Sequence, residues 1–152
     1  MSQISIYLLA QPEDNGLLTL CRLADKNATA QRRMFAFTTD GDQAFDFDAL
    51  LWVFRPGAFI SHERIKDEAI EEPLPALLIG TQEPPESHRQ ILFNMSLDIP
   101  EWHRKCERII EVVPRGREVR EACRARLKRY QATGYEVKTF EQSPDGAWQQ
   151  RM

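Results

Sequence analysis

The period of the apolar positions changes along this chain, and each change marks an element. Residues 3–9 (QISIYLL) are an almost unbroken run of β-branched, aromatic and leucine side chains, which predicts a buried strand. QPEDNG then supplies turn chemistry, with Asp14 or Asn15 placed to cap a helix. Leu17, Leu18, Leu20, Cys21, Leu23 and Ala24 follow at helical spacing, so residues 16–32 read as an amphipathic helix. MFAF (34–37) is a second strand, and TTDGD turns into a helix over 42–54 whose apolar face holds Ala44, Phe45, Phe47, Leu50, Leu51 and Phe54. Residues 55–75, with three prolines and scattered acids, read as a loop. ALLIG (76–80), ILFNMS (91–96) and ERIIEVV (107–113) read as strands, the last stopped by Pro114. A helix over about 115–132 closes at Gly134, a strand covers 135–140 (YEVKTF), and residues 143–152 form a polar tail with one Trp.

Strands and helices alternate through most of the chain. That order predicts an α/β fold: one Rossmann-like domain over residues 1–152, with a mainly parallel sheet and helices on both faces. It invites a nucleotide-binding reading, which the residues oppose. There is no GxGxxG, GxxxxGK[ST] or GxSxG, and the first strand runs into LLAQPEDNG, with acids where a phosphate loop needs glycines and free N–H groups. No nucleotide-binding loop is expected.

Candidate chemistry elsewhere is sparse. Cys21, Cys106 and Cys123 are odd in number and widely spaced, which predicts buried free thiols rather than a disulfide framework or zinc site. His62, His88 and His103 show no ligand-like spacing. His88, in a Pro-rich loop, reads as exposed; His103, beside Trp102 at a helix start, reads as a surface residue; His62 reads as a local hydrogen-bonding group. No catalytic residue, metal ligand or cofactor site is expected. Neither a signal peptide nor a run of ~20 apolar residues occurs, so the cytoplasm is the expected compartment.

Net charge is −3, but it is unevenly spread. Residues 1–112 carry 11 Lys/Arg against 18 Asp/Glu, and residues 113–152 carry 9 against 5. Seven of those cations lie in PRGREVREACRARLKRY (114–130). At about 100° per residue, Val119, Cys123, Leu127 and Tyr130 share one side, and Arg117, Arg120, Arg124 and Lys128 form a stripe beside it. A ladder of cations flanking an apolar edge suits a ligand with acids and a terminal hydrophobe. The bland alternative is a solvated face of snorkelling arginines. Nucleic acid is a rival ligand, opposed by the acidic body and a pI near 5.7.

From end to end the chain resembles the DNA polymerase III chi subunit family. The resemblance is carried by SIYLL, CRLADKNATAQRRMFAFTTD, DFDALLWVFRPGAFISH, PALLIG, ILFNMS, ERIIEVVP and RARLKRYQATGYEV. It implies a non-catalytic accessory subunit that binds the acidic, phenylalanine-ended C-terminal tail of single-stranded-DNA-binding protein. It also implies a link to the clamp loader through the psi subunit, with DNA contacted only indirectly. The tail-binding positions of the family fall on Arg124, for the terminal carboxylate, with Arg120 and Lys128 on the same stripe and Val113 in the pocket. An aromatic common on this helix is replaced by Leu127. The psi-facing region falls on Trp52, Phe54, Phe59 and Ile60. Two other classes stay in view: a single-stranded nucleic-acid-binding domain using the same helix, and a small α/β enzyme that gathers His62 or His103 with carboxylates.

Overall fold

A computed structural model describes residues 2–57, 59–65 and 72–151. Eight strands form one sheet in the order β3-β4-β2-β5-β6-β1-β7-β8. They are β1 (Gln3–Leu8), β2 (Met34–Phe37), β3 (His62–Arg64), β4 (Leu77–Gly80), β5 (Ile91–Asn94), β6 (Arg108–Val113), β7 (Glu136–Gln142) and β8 (Trp148–Arg151). All pairings are parallel except β7 with β8. The helices are α1 (Leu17–Thr29), α2 (Gly41–Val53) and α3 (Arg117–Ala132).

Alternation along the strands divides the core in two. On one face Met34, Ala36, Leu77, Ile79 and Phe93 pack beneath Leu20, Cys21 and Ala24 of α1 and Ala44, Phe47 and Leu51 of α2. On the other, Ile4, Ile6, Leu8, Phe35, Leu92 and Ile109 meet Cys123 and Tyr130 of α3. The expected α/β layering, with a mainly parallel sheet and helices on both faces, is therefore observed.

Local chemistry sets the element ends. Asp40 caps α2, its carboxylate accepting from the N–H groups of Asp42 and Gln43. Gly16 opens α1 at φ +85°, where an added Cβ would lie 2.8 Å from Val112. A side chain there would be strained and would also push α1 off β6. Gly134 takes φ +93° just past α3, as the sequence predicts.

Three expectations need correction. The segment 55–75 is not all loop: His62–Arg64 pairs with β4 as an edge strand, where only one neighbour has to be satisfied; residues 66–71 of it lie outside the described residues. The segment 143–152, read only as a polar tail, contains a further strand, since Trp148–Arg151 returns antiparallel to β7. The turn Ser143-Pro144-Asp145-Gly146 carries the chemistry of a tight reversal, with Ser143 N–H donating to Ala147 O at 2.8 Å. Finally, Phe45 does not belong to the buried face of α2 and is 61% exposed, because Ala44, Phe47 and Leu51 turn it outward.

Candidate functional site: a cationic groove beside the third helix

How α3 sits on the sheet decides which of its cations are usable. Its buried residues are Cys123, Arg126 and Tyr130, spaced three and four apart. Arg126 is the unexpected member. It donates from Nε to Glu111 Oε1 at 2.9 Å, approaches the same oxygen from Nη2 at 2.8 Å, and donates from Nη1 to Leu97 O at 2.9 Å. Glu111 stands mid-strand in β6 and is 2% exposed. Its other oxygen accepts from Tyr130 Oη at 2.9 Å and Asn94 Nδ2 at 3.1 Å. Burial alone would lower the Arg126 pKa, but the adjacent carboxylate outweighs it and raises the value. Burial and Glu111 both push Tyr130 well up, so its hydroxyl stays a donor. Each charged group in this knot has its partners, as a buried pair must.

With Arg126 turned to the sheet, the rest of the helix follows from about 100° per residue. Cys123, Leu127, Arg120, Gln131 and Arg124 occupy a continuous flank beside the buried face. These five line a cavity of about 320 Å³. Its floor is Ile6 and Leu8 of β1, and its far wall is Val137, Thr139 and Arg151 of the β7–β8 hairpin. That volume lies at the small end of the range for ligand pockets, roughly 300–1,000 Å³.

The cations at this cavity are not equivalent. Arg120 is engaged: it donates from Nη2 to Leu9 O at 2.6 Å and from Nε to Pro114 O at 3.1 Å, and burial lowers its pKa. It ties the end of β1 to the start of α3. Arg124 is exposed, and among the described residues no side chain pairs with it. Leu127 is half-buried against the core and forms the apolar wall. Burial and Glu111 push the Cys123 thiol up to about 11, against the nearby arginines, so it lines the cavity as a small apolar group rather than a nucleophile.

The other stripe residues fall outside. Arg117 projects into solvent with an ion pair to Glu121 at 3.3 Å, and Lys128 is exposed beyond the rim. Val113 is buried at the end of β6 and lines a different crevice of about 160 Å³, at the carboxyl ends of β5 and β6. That crevice occupies the position where α/β sheets often bind ligands. Its charged groups, Glu111 and Arg126, are already spent on each other.

The second predicted surface divides in the same way. Trp52 and Phe59 are 61% and 74% exposed, with Phe45 and Val53 beside them in the exposed apolar set. Phe54 is half-buried against the core, and Ile60 is core at 2% exposure. Trp52 leans on the His62 ring at 4.8 Å and on Phe59 at 6.4 Å. His62 Nδ1 is 2.7 Å from Ile60 O, and its Nε2 lies 2.8 Å from Asp48 Oδ1 without forming a hydrogen bond. His62 thus braces the loop, as expected of a locally bonding group.

The other two histidines are also structural. His88 is fully buried, not exposed: Nε2 is 2.6 Å from Pro75 O and Nδ1 is 2.7 Å from Ser87 Oγ. Burial lowers its pKa. His103 sits in a short 3₁₀ turn, with Nδ1 2.8 Å from Pro100 O and its ring against Tyr130 and Tyr135. All three cysteines are buried and free.

Of the residues singled out from the sequence, the structure brings Arg120, Arg124 and Leu127 together at this cavity; Arg126, Glu111 and the β8 side of the hairpin wall were not among them. Two signals were available. An acid inside the apolar run RIIEVV demands a buried partner, and Arg126 falls at i+3 from Cys123 and i−4 from Tyr130.

The fold and this groove define a layered α/β domain with a small, cation-lined pocket on the helix–sheet seam. The sequence profile of the family described as "DNA polymerase III chi subunit, HolC" matches residues 1–138, and the chain belongs to that family. It is 30% identical over 136 residues to the DNA polymerase III subunit chi of Pseudomonas aeruginosa, covering 89% of this chain and 93% of that one. To the subunit chi of Haemophilus influenzae it is 24% identical over 119 residues, covering 78% and 82%. The family is one of DNA polymerase III subunits, which puts the chain in DNA replication. Among the described residues no helix is long and apolar enough to cross a membrane.

Proposed function

We propose that this protein is a non-catalytic, cytoplasmic, single-domain replication subunit that holds the acidic, phenylalanine-ended C-terminal tail of single-stranded-DNA-binding protein in the groove beside α3. The observation that carries the reading is a guanidinium, Arg124, unpaired among the described residues and set beside an apolar wall at Leu127 over a floor of Ile6 and Leu8. Such a pocket suits a chain end that offers a hydrophobic side chain and a free carboxylate together. A guanidinium can meet the carboxylate with two parallel charge-assisted hydrogen bonds. Arg120 holds the pocket's shape through Leu9 and Pro114, and Arg117 and Lys128 act at longer range on the acids along the tail.

In the same reading the exposed rings of Trp52 and Phe59 face the psi subunit, which links the protein to the clamp loader. Phe54 and Ile60 support that surface from below. Exposed aromatic clusters of this kind are interface anchors.

Titrating the protein with a peptide copying the last residues of the cognate tail tests the first claim. Micromolar binding that weakens as salt is raised is expected. Absence of binding at moderate salt, or tighter binding to single-stranded DNA than to the peptide, would contradict it.

A further inference from the structure

The β7–β8 hairpin forms one wall of the groove, yet the family match stops at residue 138, before that wall is complete. The hairpin is firmly built. Tyr7 stacks on Phe140 at 4.8 Å and meets Trp148 edge-on at 5.4 Å. The turn is locked where the Asp145 carboxylate accepts from Ser143 Oγ and from Ala147 N–H. Gln142 Oε1 accepts from Ala10 N–H at 3.1 Å, and Gln11 Nε2 donates to Pro144 O at 3.0 Å, tying the hairpin to the chain that leaves β1.

Strand alternation then fixes what the hairpin presents. Gln142 pairs with Trp148 and Phe140 with Gln150, on the face shared with Tyr7. Thr139, paired with Arg151, lies on the opposite face, the one that meets α3. Arg151 thereby enters the groove from the strand side, while Arg124 enters it from the helix side. Among the described residues, the ion pair that Arg151 makes is with Glu141, at 3.5 Å, and both side chains are more than half exposed, at 56% and 54%. An exposed pair of that length is weak and exchanges partner readily.

We propose that Arg151 is a second anion-recognising residue of this groove, and that Glu141 holds its guanidinium in place until a carboxylate of the bound chain replaces it. The inference rests on the tail-binding reading and adds to it a two-walled grip. A ligand carboxylate meets Arg124 from the helix, a second carboxylate meets Arg151 from the strand, and the apolar side chain lies between them on Ile6, Leu8 and Leu127.

The test is a titration of the full-length protein with an acidic peptide ending in phenylalanine, comparing wild type, Arg124→Ala, Arg151→Ala, Arg151→Glu and Glu141→Gln. Arg151→Ala is expected to weaken binding roughly three- to tenfold, and Arg151→Glu more. Glu141→Gln, which removes both the competitor and a repelling charge, is expected to tighten it about two- to threefold. These positions are exposed, and unchanged far-UV circular dichroism will show that each variant folds. If Arg124→Ala weakens binding while both Arg151 variants match wild type, this inference is overturned and the tail-binding reading survives. If wild type does not bind, both are overturned.

Discussion

The residue that most constrains this molecule is Arg126, a buried cation in a helix otherwise notable for exposed ones. Removing its side chain would leave Glu111 as an uncompensated charge in the core. Arg126→Ala is therefore expected to cost roughly 3–5 kcal/mol of folding stability, read from the denaturant midpoint. A loss no larger than that of Arg117→Ala, whose side chain is 91% exposed, would contradict the reading. His88 makes a prediction about pH. Burial lowers its pKa, so the folded chain resists a proton that the unfolded chain accepts near pH 6.5. Its contribution to stability is thus complete above about pH 6.5 and is lost as pH falls through the depressed folded value. Denaturation midpoints compared between about pH 7.5 and pH 5 should drop less in His88→Gln than in wild type; an identical drop would contradict it. Neither residue was legible by type alone. An arginine reads as surface and a histidine among prolines reads as loop, until the partner across the fold is known.

At the scale of elements, most strands and all three helices follow from the period of the apolar residues. The central strands and the buried faces of α1 and α2 are where burial dictates composition. Two strands escaped notice, β3 and β8, and both are edge strands, bonded on one side only and therefore free of a long apolar run. For β8 the signal lay in its turn, Pro144-Asp145-Gly146, and in Trp148, rather than in its period. The segment from Trp52 to Ile60 shows why a list of apolar residues is not an interface. Ile60 is core, and Ile60→Ala is expected to destabilise the isolated chain by ~2–5 kcal/mol. Trp52 is mostly exposed, and Trp52→Ala should stay within about 0.5 kcal/mol of wild type while weakening the psi binding proposed for this surface. Thermal or chemical unfolding of the two variants checks this, and equal losses would contradict the division.

For the molecule as a whole, an acidic body carrying one basic helix was visible in the charge counts, and the fold explains why so few of those charges matter. Arg126, off the stripe, is consumed inside the core; of the stripe itself, Arg120 is bonded to backbone carbonyls, Arg117 is paired in solvent, Lys128 is exposed beyond the rim, and Arg124 stands at the mouth of an apolar pocket. Spacing gave the stripe; only the docking angle of α3, set by Glu111 and Tyr130, selects among its members. Of the hairpin wall, periodicity reached the β7 side, with Val137 and Thr139, but not the β8 side that carries Arg151.

The central claim, that Arg124 receives the terminal carboxylate of an acidic tail, is tested most directly by calorimetric titration of wild type, Arg124→Ala and Arg124→Lys with the tail peptide. Wild type should bind, Arg124→Ala should lose ~1.5–3 kcal/mol, and Arg124→Lys should recover only part of that loss, because an ammonium cannot supply the paired geometry. Equal affinity for all three would contradict the account.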